Sequence, residues 1–503
     1  MQQLGASHAP RVVVFVPRWL PPKIQQQRFS HHLMPILGAL RAAGYGVTFL
    51  EEGHDGRPDE SWQEFLGDAA LVVIWAGEMY PALQIEGLRA MLDVVPEGTP
   101  VVVGGGFFGL LDAGELDLDR RIRAVVHGPG ELVLPDVVDA VASGAPLDTV
   151  GGLTLLEGKR VVRTDAPRRR AFDPAWNGVL AELDLARYAG PEPATFDNDE
   201  PALQVHTGSG CAKRCHFCFD ENTPYGVFPA SSVVDAVEMT MRRGRVRQIA
   251  IGELDFFVDH RRAVAVAEQF LERGLDLRWF ALGSVCDLMR LSDDEMELLA
   301  RSGCHRIEIG TESGSDRLLV TMRKRHRVAD VLPLVRRLRN AGIRTTHNLL
   351  FGVPEETRED RYATLKLGAA IVRADRRAHL HFRAYQIIPS TTTGSSVLTQ
   401  VPNFPRTLQE LHDYRFGLAA GLRALPWLEP TEERWIRDLT EYVLPLAFHA
   451  PVTPVRGSLS RIAASGLRRL ARMRTRFDIR LGIAAERRFA SRIGNRLATT
   501  FVP

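Results

Sequence analysis

At 503 residues the chain has room for roughly two to four domains with cores of their own. Its 45% apolar and 25% charged residues exclude wholesale disorder, a collagen-like fibre and a bundle of membrane spans. Lys and Arg number 63 against 61 Asp and Glu, a formal net charge of +2, which argues against a surface given over to nucleic acid.

Residues 1–10 hold no basic segment followed by an apolar stretch, so no signal peptide is expected. No window approaches the roughly 18 uncharged apolar residues of a membrane span, and the expected location is cytoplasmic. The first 150 residues alternate apolar runs at 12–16, 47–50, 71–75, 101–104 and 124–127 with amphipathic stretches at 32–43, 82–92 and 131–142. That alternation predicts an α/β unit with a doubly wound, Rossmann-like parallel sheet. Such sheets bind ligands beyond the carboxyl ends of their strands. Here those ends are the loops 76–78, Gly104-Gly105-Gly106 and Gly128-Pro129-Gly130-Glu131. Trp75 and Tyr80 stand beside them, suited equally to a ligand's flank or to core.

Residues 152–164, with a Glu157-Gly158 turn, read as a hairpin, and the polar, proline-bearing stretch after it completes a linker over 151–202. A second alternation follows, with strands at 203–207, 248–251, 277–282, 306–310, 345–351 and 379–386 and helices between them. Six β/α units predict a partial barrel over 203–394, short of the closed eight-stranded form. Residues 395–503 read as mostly helical. Within them, 456–503 carry twelve arginines against Asp478 and Glu486, a charge of +10 that leaves −8 for the rest. The amphipathic helix there suits an anionic membrane surface, a phosphorylated substrate or the acidic body of the chain.

Of the five cysteines, three crowd into the loop after the first barrel strand, Gly208-Ser209-Gly210-Cys211-Ala212-Lys213-Arg214-Cys215-His216-Phe217-Cys218. Three thiolates at this spacing suit an iron–sulfur cube or zinc. A closed zinc site wants a fourth ligand, His216 or the distant Cys286 or Cys304, whereas a cube on three cysteines leaves one iron open. A non-enzymatic zinc- or cluster-binding sensor therefore stands beside an enzyme. Cys286 and Cys304 otherwise read as small buried residues, although Cys286 follows a strand end that should face the cavity.

The CxxxCxxC loop, with Phe217 before its last cysteine, resembles that of the radical S-adenosylmethionine (radical SAM) superfamily. Three further segments match it. Residues 249–256, with Glu253 at the second strand end, resemble the acidic segment that receives the methionine amine of SAM. Gly310-Thr311-Glu312-Ser313-Gly314-Ser315, followed by Met322-Arg323-Lys324, resembles the strand that brings a glutamate and a serine near the SAM ribose and carboxylate. Phe351-Gly352-Val353-Pro354-Glu355-Glu356-Thr357 resembles the glycine–proline turn beside adenine, with Glu355 where a glycine is usual. The order of sheet, Gly-Gly loop, Gly-x-Gly-Glu, hairpin and cysteine loop is similar to that of the cobalamin-binding members, the class B methyltransferase-like enzymes.

The resemblance implies a [4Fe–4S] cluster on Cys211, Cys215 and Cys218. It implies SAM contacts at Phe217, Glu253, Gly310, Glu312, Ser313, Gly352 and Pro354. Cobalamin would lie at Gly104, Gly105, Gly128, Gly130 and Glu131, with no histidine below cobalt because the DxHxxG motif is absent. The implied activity is methylation of an unactivated carbon or phosphorus centre of a small molecule, through a 5′-deoxyadenosyl radical and methylcobalamin, with an electron donor such as flavodoxin or ferredoxin. Cyclisation or rearrangement without methyl transfer uses the same cofactors.

Overall fold

The computed structural model describes residues 2–4, 10–18, 33–76, 81–106, 121–157, 160–167, 173–221, 223–388, 391–398, 400–401, 404, 410, 425–448, 458–477, 480 and 483. Glu78, Tyr80, Gly158 and the tail beyond 483 lie outside them.

Eight strands form the first sheet: β1 (Gln2–Leu4), β2 (Arg11–Val16), β3 (Gly46–Glu51), β4 (Leu71–Trp75), β5 (Val101–Gly104), β6 (Ile122–Val126), β7 (Leu153–Glu157) and β8 (Arg160–Arg163), in the order β1-β3-β2-β4-β5-β6-β7-β8. The middle five run parallel and are flanked by antiparallel β1 and by the hairpin β7–β8. The runs Val-Val-Val-Phe-Val of β2 and Leu-Val-Val-Ile-Trp of β4 are buried throughout, as strands covered by helices on both faces must be. Winding reverses between β2 and β4, which opens a crevice at their carboxyl ends. The short edge strand β1 was not anticipated: its Gln2 and Leu4 are buried and Gln3 exposed, too brief an alternation to stand out.

The second sheet has the order β17-β16-β15-β14-β13-β10-β9. Its strands are β9 (Gly190–Pro191), β10 (Pro201–Val205), β13 (Gln248–Ile251), β14 (Arg278–Ser284), β15 (Cys304–Glu312), β16 (Arg344–Phe351) and β17 (His379–Ala384). Apart from the antiparallel edge β9, all six are parallel and follow one another in sequence, an open (β/α)6 barrel. In β15, Ile307, Ile309 and Thr311 are fully buried while Glu308, Gly310 and Glu312 on the opposite face are less so, the period-2 pattern of a strand with helices on one side only. The first barrel strand ends at Val205, two residues earlier than expected; beyond it the Thr207 hydroxyl donates to Glu253 and its carbonyl accepts from Phe228 N–H.

The segment expected as linker is packed. Trp176, Leu180, Leu183, Tyr188 and Phe196 are buried. Trp176 lies so close to Gly38 that a Cβ there would meet its carbonyl at 2.4 Å, and on its other side it meets Phe228 edge-on. At the amino-terminal end of the barrel Asp197 binds Arg306 through both oxygens at 2.8 Å, and also pairs with His305 and Arg344. Of the basic tail, helix Ser458–Phe477 is described; Leu467, Ala471 and Arg474 are buried, and Arg472 bonds the Ala447 carbonyl at 3.0 Å. That face is turned toward the chain's own helix Leu444–Phe448. No described helix is long and apolar enough to cross a membrane.

Candidate functional site

After β10 the ribbon β11 (Gly208–Ser209) and β12 (Gly226–Val227) opens the cysteine loop. Gly210 has φ +66°, and a Cβ there would lie 2.1 Å from the Pro224 carbonyl, so no other residue fits. Cys211, Cys215 and Cys218 follow, all half-buried. The loop is tied down on two sides: His216 N–H donates to Met322 at 3.3 Å, and Thr393 N–H donates to His216 at 2.8 Å. Buried Glu221 accepts from Thr392 N–H at 2.7 Å and its hydroxyl at 2.6 Å. Burial pushes the Cys211 thiol up to about 11 and the Cys218 thiol to about 12, so metal binding here displaces protons from neutral thiols. Three soft sulfur donors on one short loop fit an iron–sulfur cluster. Among the described residues, no three His, Cys, Asp or Glu side chains are grouped as a single metal ion would require.

Glu253, expected at the SAM amine, is already engaged. Arg262 Nη1 lies 3.3 and 3.1 Å from its two oxygens, the Thr207 hydroxyl donates at 2.9 Å and Tyr225 OH at 3.5 Å. Arg262 in turn donates to the Phe228 and Thr207 carbonyls. The residue left without an arginine is Asp255, which sequence reading passed over. It is only 4% exposed and has no basic side chain bonded to it; its neighbours are the Ser284 hydroxyl and the Asp287 carboxyl. Burial, reinforced by the Asp287 carboxylate, lifts it to about 7. Its charge is felt at Cys211 and at Lys213. Two acids two residues apart after a strand were visible in the sequence; which one meets a cation depends on Arg262, in the next helix.

Glu312 ends β15 with φ +60° and accepts from Lys324 Nζ at 3.1 Å. A Cβ on Gly310 would lie 2.8 Å from Glu312 and 2.9 Å from Lys324, so that glycine leaves room for the pair. Lys324 also acts on Cys215. Ser313 is fully buried, 3.2 Å from the Thr364 hydroxyl and accepting from Ser315 N–H at 3.1 Å, and so shapes the turn. Gly352, with φ +78°, donates to Glu356 at 2.8 Å and accepts from Trp427 at 3.2 Å. Pro354 and Phe217 are half-buried, and Glu355 takes φ +67°.

At the first sheet's carboxyl edge, a Cβ on either Gly104 or Gly130 would lie 2.5 Å from the ring of Trp75, which is 6% exposed. These two glycines form a socket for the indole. Gly105, with φ +103°, passes so close to Ala76 that a Cβ would meet its carbonyl at 2.1 Å, whereas Gly128, with φ +89°, faces open space. Glu131 opens helix Gly130–Ser143, buried and with Oε1 unpartnered. Burial raises its carboxyl, and the Ser209 hydroxyl beside it acts the other way. Ser209 precedes Cys211 by two residues, so the edge of the first sheet meets the cysteine loop.

A doubly wound sheet abutting the three-cysteine loop of an open β/α barrel defines a two-module α/β protein with a soft-metal loop at the junction. Residues 205–368, most of the barrel, match the model of the radical SAM superfamily. An uncharacterized methyltransferase of Pyrococcus horikoshii is 26% identical over 309 residues, covering 60% of this chain and 64% of that protein. The anaerobic magnesium-protoporphyrin IX monomethyl ester cyclase of Cereibacter sphaeroides is 25% identical over 346 residues, covering 66% of this chain and 55% of that protein. The chain thus spans less than two thirds of the length of either. In fold it is similar to the cobalamin-dependent S-adenosylmethionine radical enzyme OxsB, solved with aqua-cobalamin and S-adenosylmethionine bound, at a TM-score of 0.68 and 13% identity over 92% of this chain and 72% of that one.

Proposed function

We propose that this chain is a cobalamin-dependent radical SAM methyltransferase acting on a carbon or phosphorus centre of a small molecule. The observation that carries the reading is the placement of Glu131, on the edge of the doubly wound sheet, beside Ser209, two residues before Cys211. A corrin held at that edge and a cluster held at that loop would be neighbours. When bound, cluster and SAM supply one-electron cleavage chemistry, and cobalamin supplies a transferable methyl group.

The chain's own residues position and enclose these groups. Cys211, Cys215 and Cys218 hold the cluster. Asp255, rather than Glu253, is offered to the SAM amine, because no arginine pairs with it whereas the oxygens of Glu253 are held by Arg262. Glu312, fixed by Lys324 through the space left at Gly310, faces the ribose side, and Ser313 shapes its turn. Gly352 and Pro354 form the adenine side, and Phe217 packs under the loop. Gly105 and Gly128 give the corrin its approach to the sheet edge, Gly104 and Gly130 seat Trp75 beneath it, and Glu131 joins the two sites. A flavodoxin or ferredoxin supplies the electron.

Anaerobic reconstitution tests the reading: about four irons per chain, with one corrin, are expected, and Cys215→Ala should abolish formation of 5′-deoxyadenosine from SAM. Zinc bound one per chain without iron would sink it in favour of a sensor. The similarity to the Cereibacter cyclase supports a second reading, ring formation or rearrangement with the same cofactors. Product mass separates the two, since methyl transfer adds one CH2 unit and ring formation does not.

A further inference from the structure

The exposed side of the cysteine loop has no part in the function just proposed, yet it carries a distinct surface. Arg214, immediately before Cys215, is exposed there. Against the loop runs the segment that follows the short helix Asp316–Thr321, where the Met322 carbonyl accepts from His216 N–H at 3.3 Å. Side chains alternate along that segment. Met322 and His326 are buried and Lys324 turns inward to Glu312, while Arg323, Arg325 and Arg327 are exposed. Arg323 takes φ +61°, a left-handed turn that glycine makes most easily, and its N–H closes the turn on the Val320 carbonyl at 2.9 Å. Val320 itself is 77% exposed, more than any other large apolar side chain among the described residues. The acids on this side already accept bonds: Asp316 from Val328 N–H at 2.7 Å, Asp330 from Arg327 N–H at 2.8 Å, and Asp360 from Arg317. On the other flank, where Thr393 N–H donates to His216, the exposed residues Thr392, Ser395 and Ser396 are uncharged. An exposed apolar side chain with arginines around it suits a protein partner whose own surface is acidic.

We propose, on the cluster reading above, that this face docks an acidic one-electron carrier protein of the flavodoxin kind, with Val320 at its centre and Arg214, Arg323 and Arg325 around it. The patch lies on the loop that carries Cys211, Cys215 and Cys218, so a carrier seated on it delivers its electron without entering the barrel. The reduced carrier is oxidised by one equivalent and the cluster reduced by one, with no bond made or broken. Positive charge around the contact draws the acidic carrier in and orients it.

The test compares wild type with the double variant Val320→Glu, Arg325→Glu. Arg301→Glu is the control, an exposed arginine ending helix Asp293–Arg301 at the approach to the amino-terminal end of β15. Bio-layer interferometry measures the binding of oxidised flavodoxin to the full chain, and SAM cleavage is driven in parallel by reduced flavodoxin or by dithionite. In wild type and the control, the flavodoxin Kd should weaken as rising salt screens surface charge. The double variant should bind about tenfold more weakly at low salt and lose most of that salt dependence. Its KM for flavodoxin should rise alike, while 5′-deoxyadenosine formation with dithionite stays within about twofold of wild type. Flavodoxin binding within about twofold of wild type overturns the assignment. So does an equal loss of activity with dithionite, which would make the segment a prop of the cysteine loop. Unfractionated transfer RNA bound more tightly than flavodoxin, and released by the same variant, overturns it in favour of a nucleic-acid partner. A wild-type chain that cleaves no SAM with dithionite overturns both this assignment and the cluster reading.

Discussion

Arg262 and Glu253 form a sealed ion pair, Nη1 to Oε2 at 3.1 Å, with their side chains 6% and 0% exposed. It braces the strand end beneath the cysteine loop, because Arg262 also holds the Thr207 and Phe228 carbonyls. Breaking a buried pair by removing one partner leaves an uncompensated charge, at about 3–5 kcal/mol. Glu253→Ala should therefore lower the unfolding free energy of the cluster-free chain by that amount, seen as a lower denaturant midpoint, with the milder Glu253→Gln between it and wild type. A Glu253→Gln chain that unfolds like wild type but no longer binds SAM would make Glu253 a ligand rather than a brace.

Asp255 carries the opposite signature. Its carboxyl titrates at about 7 in the fold against about 3.9 unfolded, so the folded chain keeps a proton that the unfolded chain releases between those values. Stability contributed by that proton is present below about pH 4 and is lost as pH rises to 7. Asp255→Asn removes the ionisation and should gain on wild type by on the order of 2 kcal/mol between pH 5 and pH 8. Urea unfolding at the two pH values measures it; an equal difference at both would refute the burial of that charge. The same variant should weaken SAM binding.

Glu355 occupies a left-handed backbone position at φ +67°, where a side chain is disfavoured by about 1–2 kcal/mol and glycine is not. Allowing for the greater freedom of unfolded glycine, Glu355→Gly should stabilise the chain by about 0.5–1 kcal/mol. Thermal unfolding would show it as a rise of the midpoint, and a fall would mean that the side chain makes a contact worth more than the strain.

Gly130 and Trp75 are coupled by contact. A Cβ at Gly130 would lie 2.5 Å from the indole and 2.7 Å from Ile36, so Gly130→Ala should cost about 1–3 kcal/mol through overpacking. Trp75→Leu should relieve most of that cost, and the double variant should be more stable than additivity predicts. Retention of hydroxocobalamin on gel filtration, followed in parallel, tells whether the socket also supports the corrin.

Much of the architecture was legible because parallel strands buried on both faces leave unbroken apolar runs, as in 12–16 and 71–75, and because glycine loops mark their ends. Less legible were features decided between elements. β1 is three residues long and gains its meaning only by pairing with β3. The polar stretch after the hairpin looked like linker because its buried residues, Trp176, Tyr188 and Phe196, are widely spaced. At the site, the cysteine loop announced itself by spacing alone, whereas the pairing of Glu253 with Arg262, in the next helix, is decided only by the fold. The glycines of the first sheet signalled close packing correctly, but the partner of Gly104 and Gly130 is a tryptophan of the chain itself.

At the far end of the barrel, the short helix Pro193–Phe196 and the Asp197 carboxylate, clasped by Arg306, His305 and Arg344, lie across the amino-terminal ends of β14, β15 and β16. The cysteine loop, Asp255 and Glu312 all stand at the opposite, carboxyl ends of their strands. The clasp thus joins the edge segment to three successive strands and holds together, from the end remote from the cysteine loop, the strands whose carboxyl ends carry Glu312 and the segment after β14.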